Sequence, residues 1–401
     1  MDIISQIQRF IEFSINFIKS INFLITVGII LIIYQVILLF IRDKKYIHAM
    51  KEDRDPDTIK IEDLNELPLI NIIIPAWKEG SSFRDCLLSI TKLKYPNLKT
   101  IINAGGSEET TGIASSFENQ ESFIIFEQKG GGKMKALNEC LEYVNEGIVY
   151  SIDADVILTD EILLRLICPI INQNEHVTCG GVKPFRIQQN KSIVKYVLLQ
   201  RIYYFKNKFS RYGRHQISGP NTCFNYEVIE SIEKFPDDNL YLQSDRFRGP
   251  LILSKGYKIY WLNHPNSLVR TDFPDTPKKY FKQETRWRKN QLLDPMEEKR
   301  GITFLKFIIL ILYSLIIVST PIFLVIYNFY FMSIGLILFL NIYLIKIRRF
   351  VFFKSIMSKD DYQKFGFLFF IKVIFYIYLD MIMTLYLVPA SLISFSKRKI
   401  K

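Results

Sequence analysis

Three groups of residues that could do chemistry follow one another between positions 150 and 290: Asp153-Ala-Asp155, a lone Asp245 in Gln-Ser-Asp, and Gln283-Glu-Thr-Arg286-Trp287. Two carboxylates at i and i+2 can reach one divalent ion where a strand has ended and the backbone turns. Such hard oxygen ligands suit Mg²⁺ or Mn²⁺, and an ion there would bridge a diphosphate and stabilise charge on a leaving group. The same pair also fits a capped turn, with Asp155 or Thr159 starting the next helix. Asp245 suits a general base that takes the proton of an attacking hydroxyl while the leaving group departs from the opposite face. It equally suits a helix cap or a salt bridge to Arg246 or Arg248. Arg286 can clamp a diphosphate at two points, and the Trp287 indole can stack on the apolar face of a sugar ring. A tryptophan with basic neighbours is also common at a membrane edge.

Upstream, Gly130-Gly131-Gly132-Lys133 invites comparison with a phosphate loop. It lacks the P-loop pattern, which needs Gly where Glu127 stands and Ser or Thr where Met134 stands. A flexible loop carrying Lys133 and Lys135 towards a phosphate, or a plain solvated turn before a helix, remains. His48, His176, His215 and His264 show no metal-ligand spacing.

These residues need a scaffold, and the middle of the chain reads as one. Leu69 to Ile74 is a β-rich run that Pro75 is expected to stop, followed by a helical pattern from Phe83 to Leu93. Leu98 to Asn103 and Ser122 to Phe126 read as strands, Ala136 to Asn145 as a helix, and Gly147 to Ile152 as a strand delivering Asp153. Alternating strands and helices imply an α/β fold with an open parallel sheet, and such sheets bind ligands beyond the carboxyl ends of their strands.

Apolar runs flank this middle. Asn22 to Ile41 has the length of a bilayer-spanning helix and no formal charge, and the basic Arg42, Lys44 and Lys45 mark it as a retained anchor. Phe304 to Ile345 is long enough for two spans, broken at Pro321 or Tyr327-Asn328, and Phe367 to Phe395 is interrupted by Lys372 and Asp380. Phe10, Phe13 and Phe17 suggest that the first 20 residues lie as an amphipathic segment on a membrane. Much of the net charge of +12 sits beside the apolar runs, at Lys346, Arg348, Arg349 and Lys354 and at the Lys397-Arg398-Lys399 end. That placement points to topology and anionic lipid and away from nucleic acid. Five scattered cysteines without C-x-x-C spacing fit a reduced, cytosolic domain. The expected division is an N-terminal segment with a transmembrane helix over 1–43, a catalytic domain over 44–300, and C-terminal transmembrane helices with a basic tail over 301–401. The ionisable Lys372 and Asp380 suggest either a polar path through the helices or mutual pairing.

Over roughly residues 69 to 291 the chain resembles the membrane-integrated family 2 glycosyltransferases, which include cellulose, hyaluronan and chitin synthases. Ile74-Pro75-Ala76-Trp77-Lys78-Glu79 is similar to the family's first strand and nucleotide-contacting turn, and Gly132-Lys133 with Ala136-Leu137-Asn138 to the segment before the metal motif. Asp153-Ala-Asp155 matches D-x-D, Gly219-Pro220-Asn221 falls at an acceptor-binding loop, Asp245 at the general base, and Gln283, Arg286 and Trp287 match Q-x-x-R-W. The resemblance implies a GT-A (Rossmann-like) domain, a divalent metal at Asp153 and Asp155, and inversion at the anomeric carbon. It implies donor contacts from Pro75, Ala76, Glu79, Lys133, Asp153, Gln283 and Arg286, and acceptor contacts from Gly219 and Trp287. The expected activity is transfer from a nucleotide-sugar, a UDP-sugar by analogy, to a growing polysaccharide at the cytosolic membrane face. Transfer of one sugar to a membrane lipid, or a non-catalytic membrane scaffold, are the alternatives. Three positions depart from the pattern: Ala104-Gly105-Gly106-Ser107 stands where Asp-Asp-Gly-Ser is common, Ser244 precedes Asp245 where Glu is frequent, and Pro220 lies in the acceptor loop. The first leaves the nucleobase open.

Overall fold

The computed structural model describes residues 3–52, 56–201, 212, 216–233, 235, 244–262, 264–297, 301–325, 329–357 and 365–399. The chain forms two compact units from interleaved pieces. One comprises His48–Gln189 and Tyr203–Phe273, the other Met1–Ile47, Asn190–Ile202 and Pro274–Lys401. The stretch expected to be one catalytic domain thus contributes to both, and the Q-x-x-R-W segment groups with the apolar helices.

The first unit is built on a seven-stranded sheet. Its strands are β1 (Ile70–Trp77), β2 (Leu98–Gly105), β3 (Phe123–Gln128), β4 (Ile148–Ser151), β5 (Val177–Cys179), β7 (Thr222–Asn225) and β8 (Ile259–Trp261), in the order β3-β2-β1-β4-β7-β5-β8. β6 (Val182–Pro184) and β9 (Val269–Thr271) form a separate parallel pair. The expected parallel arrangement holds from β3 to β4, whereas β7 runs antiparallel to both β4 and β5.

Alternation along β1 explains its nearly unbroken isoleucines. Ile70, Ile72 and Ile74 enter one core cluster and Ile73 the other. Helices α3 (Ser81–Ile90), α4 (Glu108–Ser115) and α6 (Asp160–Gln173) supply Phe83, Leu87, Ile113 and Leu166 to the first cluster. α5 (Gly132–Leu141) and α8 (Tyr226–Ile232) supply Leu137, Cys140 and Val228 to the second. A sheet covered on both faces by helices needs apolar residues on both, which removes the polar alternation of a half-exposed strand.

Pro75 does not stop β1. Ile73 accepts a bond from the Ile152 N–H on the β4 side, so Pro75, two residues on, faces the same side. Pairing with β4 ends at the Ile73–Ser151 level, so the missing proline N–H breaks nothing, while β2 pairing continues to Trp77–Gly105. α5 starts four residues before its expected boundary because Gly131, at φ +100°, caps it in a left-handed conformation. Thr159 caps α6, accepting from the Ile162 N–H at 3.4 Å, which assigns that role to Thr159 rather than Asp155.

The second unit is helical. α1 (Ile3–Ile37) continues without interruption into the π-helical Leu38–Asp43, so residues 3–20 form one rod with the apolar run instead of a separate surface segment. After Asp43 comes α2 (Lys44–Glu52), and α7 (Ser192–Arg201), α10 (Pro277–Glu297), α11 (Gly301–Val325), α12 (Phe329–Ile356) and α13 (Phe367–Lys399) are also described in this unit. Pro321 lies inside α11, and Tyr327-Asn328 lies outside the described residues. Two described stretches, Ser5–Asp43 and Phe367–Tyr386, are long and apolar enough to cross a membrane by length and composition.

Charges near these helices are not all solvated flanks. Arg348, 7 % exposed, pairs with the fully buried Asp43 at 3.2 Å and donates to Gln35 at 2.7 Å. Gln35 in turn donates to Asn341 at 3.2 Å, so a polar ladder pins α1 to α12. Lys346 lies over the Tyr196 ring at 4.6 Å. Both residues, read above as a basic flank, are spent on buried contacts.

Candidate active site

The carboxyl ends of β1, β2 and β4 build the site in the first unit. β1 ends at Trp77, and Lys78 follows at φ +57°, its N–H donating to the Gly105 carbonyl at 3.0 Å. Glu79 is fixed through its backbone. Its N–H donates to the buried Thr110 hydroxyl at 2.7 Å, and that hydroxyl donates to the Glu79 carbonyl at 2.8 Å. Ser107 caps α4 just upstream and bonds Thr110 at 2.8 Å, so the altered Ala104-Gly105-Gly106-Ser107 turn serves as a scaffold for Glu79. Gly106 sits at φ +85°, and a Cβ there would come 2.7 Å from the Trp77 ring. The indole thus rests on the glycine turn with 43 % of Trp77 exposed. Among the expected donor-contacting residues, Pro75 and Ala76 are strand residues, and the Ala76 side chain is fully buried in the core.

β4 ends at Ser151 and delivers the two aspartates as expected. Lys133 ion-pairs with Asp153 Oδ1, whereas Lys135 lies 3.8 Å from Glu139 on its own helix. Lys133 is in the first turn of α5, where the helix dipole disfavours a cation, and the Asp153 carboxylate offsets that. Asp155 Oδ2 accepts from the Thr271 hydroxyl at 2.6 Å and the Asp272 N–H at 3.1 Å.

The carboxylates repel one another. Burial first, then Asp155, Asp153 and Asp272, push the Glu79 carboxyl up to about 7. Burial and the Asp153 charge push Asp155 up to about 6 against the lowering effect of its bonds to Thr271 and Asp272. Each aspartate keeps one oxygen without a hydrogen-bond partner among the described residues. A divalent cation would relieve the repulsion, and two hard carboxylates fit Mg²⁺ or Mn²⁺. Among the described residues no third His, Cys, Asp or Glu joins them as a ligand group, so phosphate or water oxygens would complete the shell.

Asp245 is the second residue of α9 (Ser244–Ser254), and its side chain lies outside the described set. One turn on, the buried Arg248 donates to Ser151 Oγ at 3.3 Å, bringing this helix to the end of the strand that delivers Asp153. Gly219 is buried in the turn before β7. Asn221 beside it is consumed by the fold: it accepts from Tyr150 at 2.8 Å and donates to the Gly181 and Ser267 carbonyls. His264 is also a fold residue, 2 % exposed, accepting from the Asn266 N–H at 3.0 Å.

In the helical unit, Gln283, Arg286 and Trp287 lie on α10. Gln283 accepts from Arg201 of α7 at 2.8 Å, the Arg201 guanidinium covers the Trp287 ring at 4.5 Å, and Arg286 is exposed.

Sequence reasoning missed four residues here. Thr110 and Arg201 gave no local signal, since each acts across a long chain separation. Thr271 and Asp272 gave a weak one: two apolar residues, Leu268 and Val269, lead into the polar Arg270-Thr271-Asp272.

The family and the fold are recognisable by comparison with known proteins. Residues 68–290 match the model of the family described as "Glycosyltransferase like family 2". The probable glycosyltransferase YdaM of Bacillus subtilis is 24% identical over 247 residues, covering 57% of each chain. An N-acetylglucosaminyltransferase of Rhizobium meliloti is 22% identical over 282 residues, covering 65% of each. The chain thus spans about three-fifths of the length of these relatives. The mannosyltransferase PcManGT from Pyrobaculum calidifontis, solved with GDP-Man and Mn²⁺, superposes with a TM-score of 0.51 at 15% identity, over 92% of this chain and 98% of that one. With the family pattern covering more than half the chain and a GT-A-like sheet presenting D-x-D at its carboxyl edge, this protein belongs to the family 2 glycosyltransferases.

Proposed function

We propose that the protein transfers a sugar from a nucleotide-sugar to a growing polysaccharide at the cytosolic face of a membrane, with inversion at the anomeric carbon. The observation that carries this reading is the convergence of Asp153, Asp155 and Lys133 at the carboxyl edge of the sheet. Asp153 and Asp155 would hold Mg²⁺ or Mn²⁺, which supplies charge neutralisation for the donor diphosphate. Lys133, already at that edge, binds the same phosphates once Asp153 turns to the ion. Trp77 offers its exposed indole to the base, in line with the aromatic stacking common in nucleotide sites. Thr110 and Lys78 hold the turn that carries Glu79. Asp245 takes the proton of the acceptor hydroxyl as that oxygen attacks the anomeric carbon and the nucleoside diphosphate departs. Gln283 and Arg286 contact the diphosphate, while Trp287 and the Gly219 loop contact the acceptor.

Two features support the membrane setting: Ser5–Asp43 and Phe367–Tyr386 have span length, and most large apolar side chains of the first are exposed. PcManGT, which shares the fold, was solved with GDP-Man and Mn²⁺, and the glycine turn of this chain leaves guanine and uracil donors both open. The test is to screen UDP- and GDP-sugars with purified full-length protein in detergent, with and without Mn²⁺, scoring donor hydrolysis and product length. Metal-dependent turnover with long products is expected. A single added sugar on lipid would replace the polymer reading, and no turnover with any donor would overturn the enzyme reading.

A further inference from the structure

Tyr280, Gln283 and Trp287 fall at i, i+3 and i+7 of α10 and therefore share one face of the helix. That face meets α7. Arg201 reaches both Gln283 and Trp287, and Tyr280 accepts from Gln200 Nε2 at 2.9 Å. Between the two helices stands a carboxylate from a third. Asp380 of α13 is 4 % exposed and takes Tyr280 OH on Oδ1 at 2.5 Å. Its Oδ2 takes Tyr196 OH at 2.5 Å and Gln200 Nε2 at 2.9 Å. Tyr196 and Tyr280 also meet edge to face, with ring centroids 6.1 Å apart.

A carboxyl group in an apolar helix is costly unless several donors satisfy it, and here at least three do. We infer that Asp380 is a positioning residue for the Q-x-x-R-W helix: it clamps Tyr280 of α10 to Tyr196 and Gln200 of α7, which sets Arg201 against Gln283 and Trp287. The inference rests on the reading that Gln283 and Trp287 line the transfer site. It replaces the polar-path and Lys372-pairing readings of Asp380, because its oxygens are occupied by two tyrosines and a glutamine, while Lys372 is exposed. α13 therefore acts on the Q-x-x-R-W helix, and a change at position 380 would be felt at Trp287.

The experiment uses full-length protein in detergent labelled with 5-fluorotryptophan. Three tryptophans give three fluorine resonances, and Trp287→Phe assigns the third. Asp380→Asn is expected to shift or broaden the Trp287 resonance, leave those of Trp77 and Trp261 in place, and raise donor KM or lower kcat on the order of 10- to 100-fold, as small displacements of reacting groups do. Arg201→Gln should reproduce both effects, and Arg201→Lys, which keeps the charge but not the planar fork, should restore part of the activity. If Asp380→Asn fails to fold, the Arg201 pair carries the test. The inference is overturned if the folded variants keep the Trp287 resonance and donor kinetics of the parent. Parent protein without transfer activity would count against the functional reading instead, while the fluorine shifts would still judge the clamp.

Discussion

Lys133 and Asp153 form an ion pair that ties the first turn of α5 to the residue just beyond β4. The pair joins a group suited to phosphate to a group suited to a metal, and in the free protein each occupies the other. On the proposed function, donor and cation would replace this ion pair with a Lys133–phosphate and an Asp153–cation contact. Lys133→Ala should weaken the donor more than the metal, raising donor KM about tenfold or more, as loss of a charge-assisted contact does. Lys133→Arg should retain most of the affinity. Steady-state kinetics over a donor series at saturating Mn²⁺ would check this.

Raised carboxyl pKa values make metal binding proton-linked. Asp155 titrates near 6, so below that value its proton must leave before a cation can use the charge. Mn²⁺ affinity should therefore rise between about pH 5 and 7 and level off above. Calorimetry at pH 6 in buffers of different ionisation enthalpy should show protons released, and none at pH 8.

The same shifts act on stability with the opposite sense. The folded state holds these protons to higher pH than the unfolded chain, whose carboxyls titrate near their ordinary values of 3.8 and 4.5. Metal-free protein should therefore lose stability as pH rises from about 4 to 7. Asp155→Asn should flatten that slope and raise the melting temperature at pH 8 while abolishing turnover. Thermal unfolding in chelator across this range is the measurement.

Gly106 is held at φ +85° beneath the Trp77 ring. Alanine there should cost about 1–3 kcal/mol through left-handed strain and displacement of the indole. Donor affinity should fall with it, since Lys78 and Glu79 follow directly. Denaturant unfolding and donor titration of Gly106→Ala would show both.

Arg348 and Asp43 are a buried pair, so removing Arg348 takes a charge partner from the fully buried Asp43. Arg348→Leu should destabilise the helical unit by about 3–5 kcal/mol, and Arg348→Leu with Asp43→Leu should recover much of the loss. Unfolding monitored by helical circular dichroism in detergent would compare them.

Local patterns carried much of this structure. The isoleucine runs of β1 and β2, the polar residues that end β4 and the glycine start of α5 all follow from neighbouring residues. Pro75 misled because its N–H would have faced a strand that had already ended, a fact belonging to β4 rather than β1. The antiparallel β7 was not visible either, because direction in a sheet is set by the path between strands. At the site, D-x-D was legible from a strand boundary, whereas its support by Thr271 comes from 116 residues away. Arg348 looked like a membrane flank because composition counts charges without showing where each side chain goes.

The general base is the central claim, and Asp245→Asn tests it most directly. With the donor, Mn²⁺ and acceptor that support turnover by the parent, the variant should bind donor with unchanged affinity and transfer on the order of 10²–10⁴ times more slowly. Transfer at the parent rate by the folded, donor-binding variant would contradict the account.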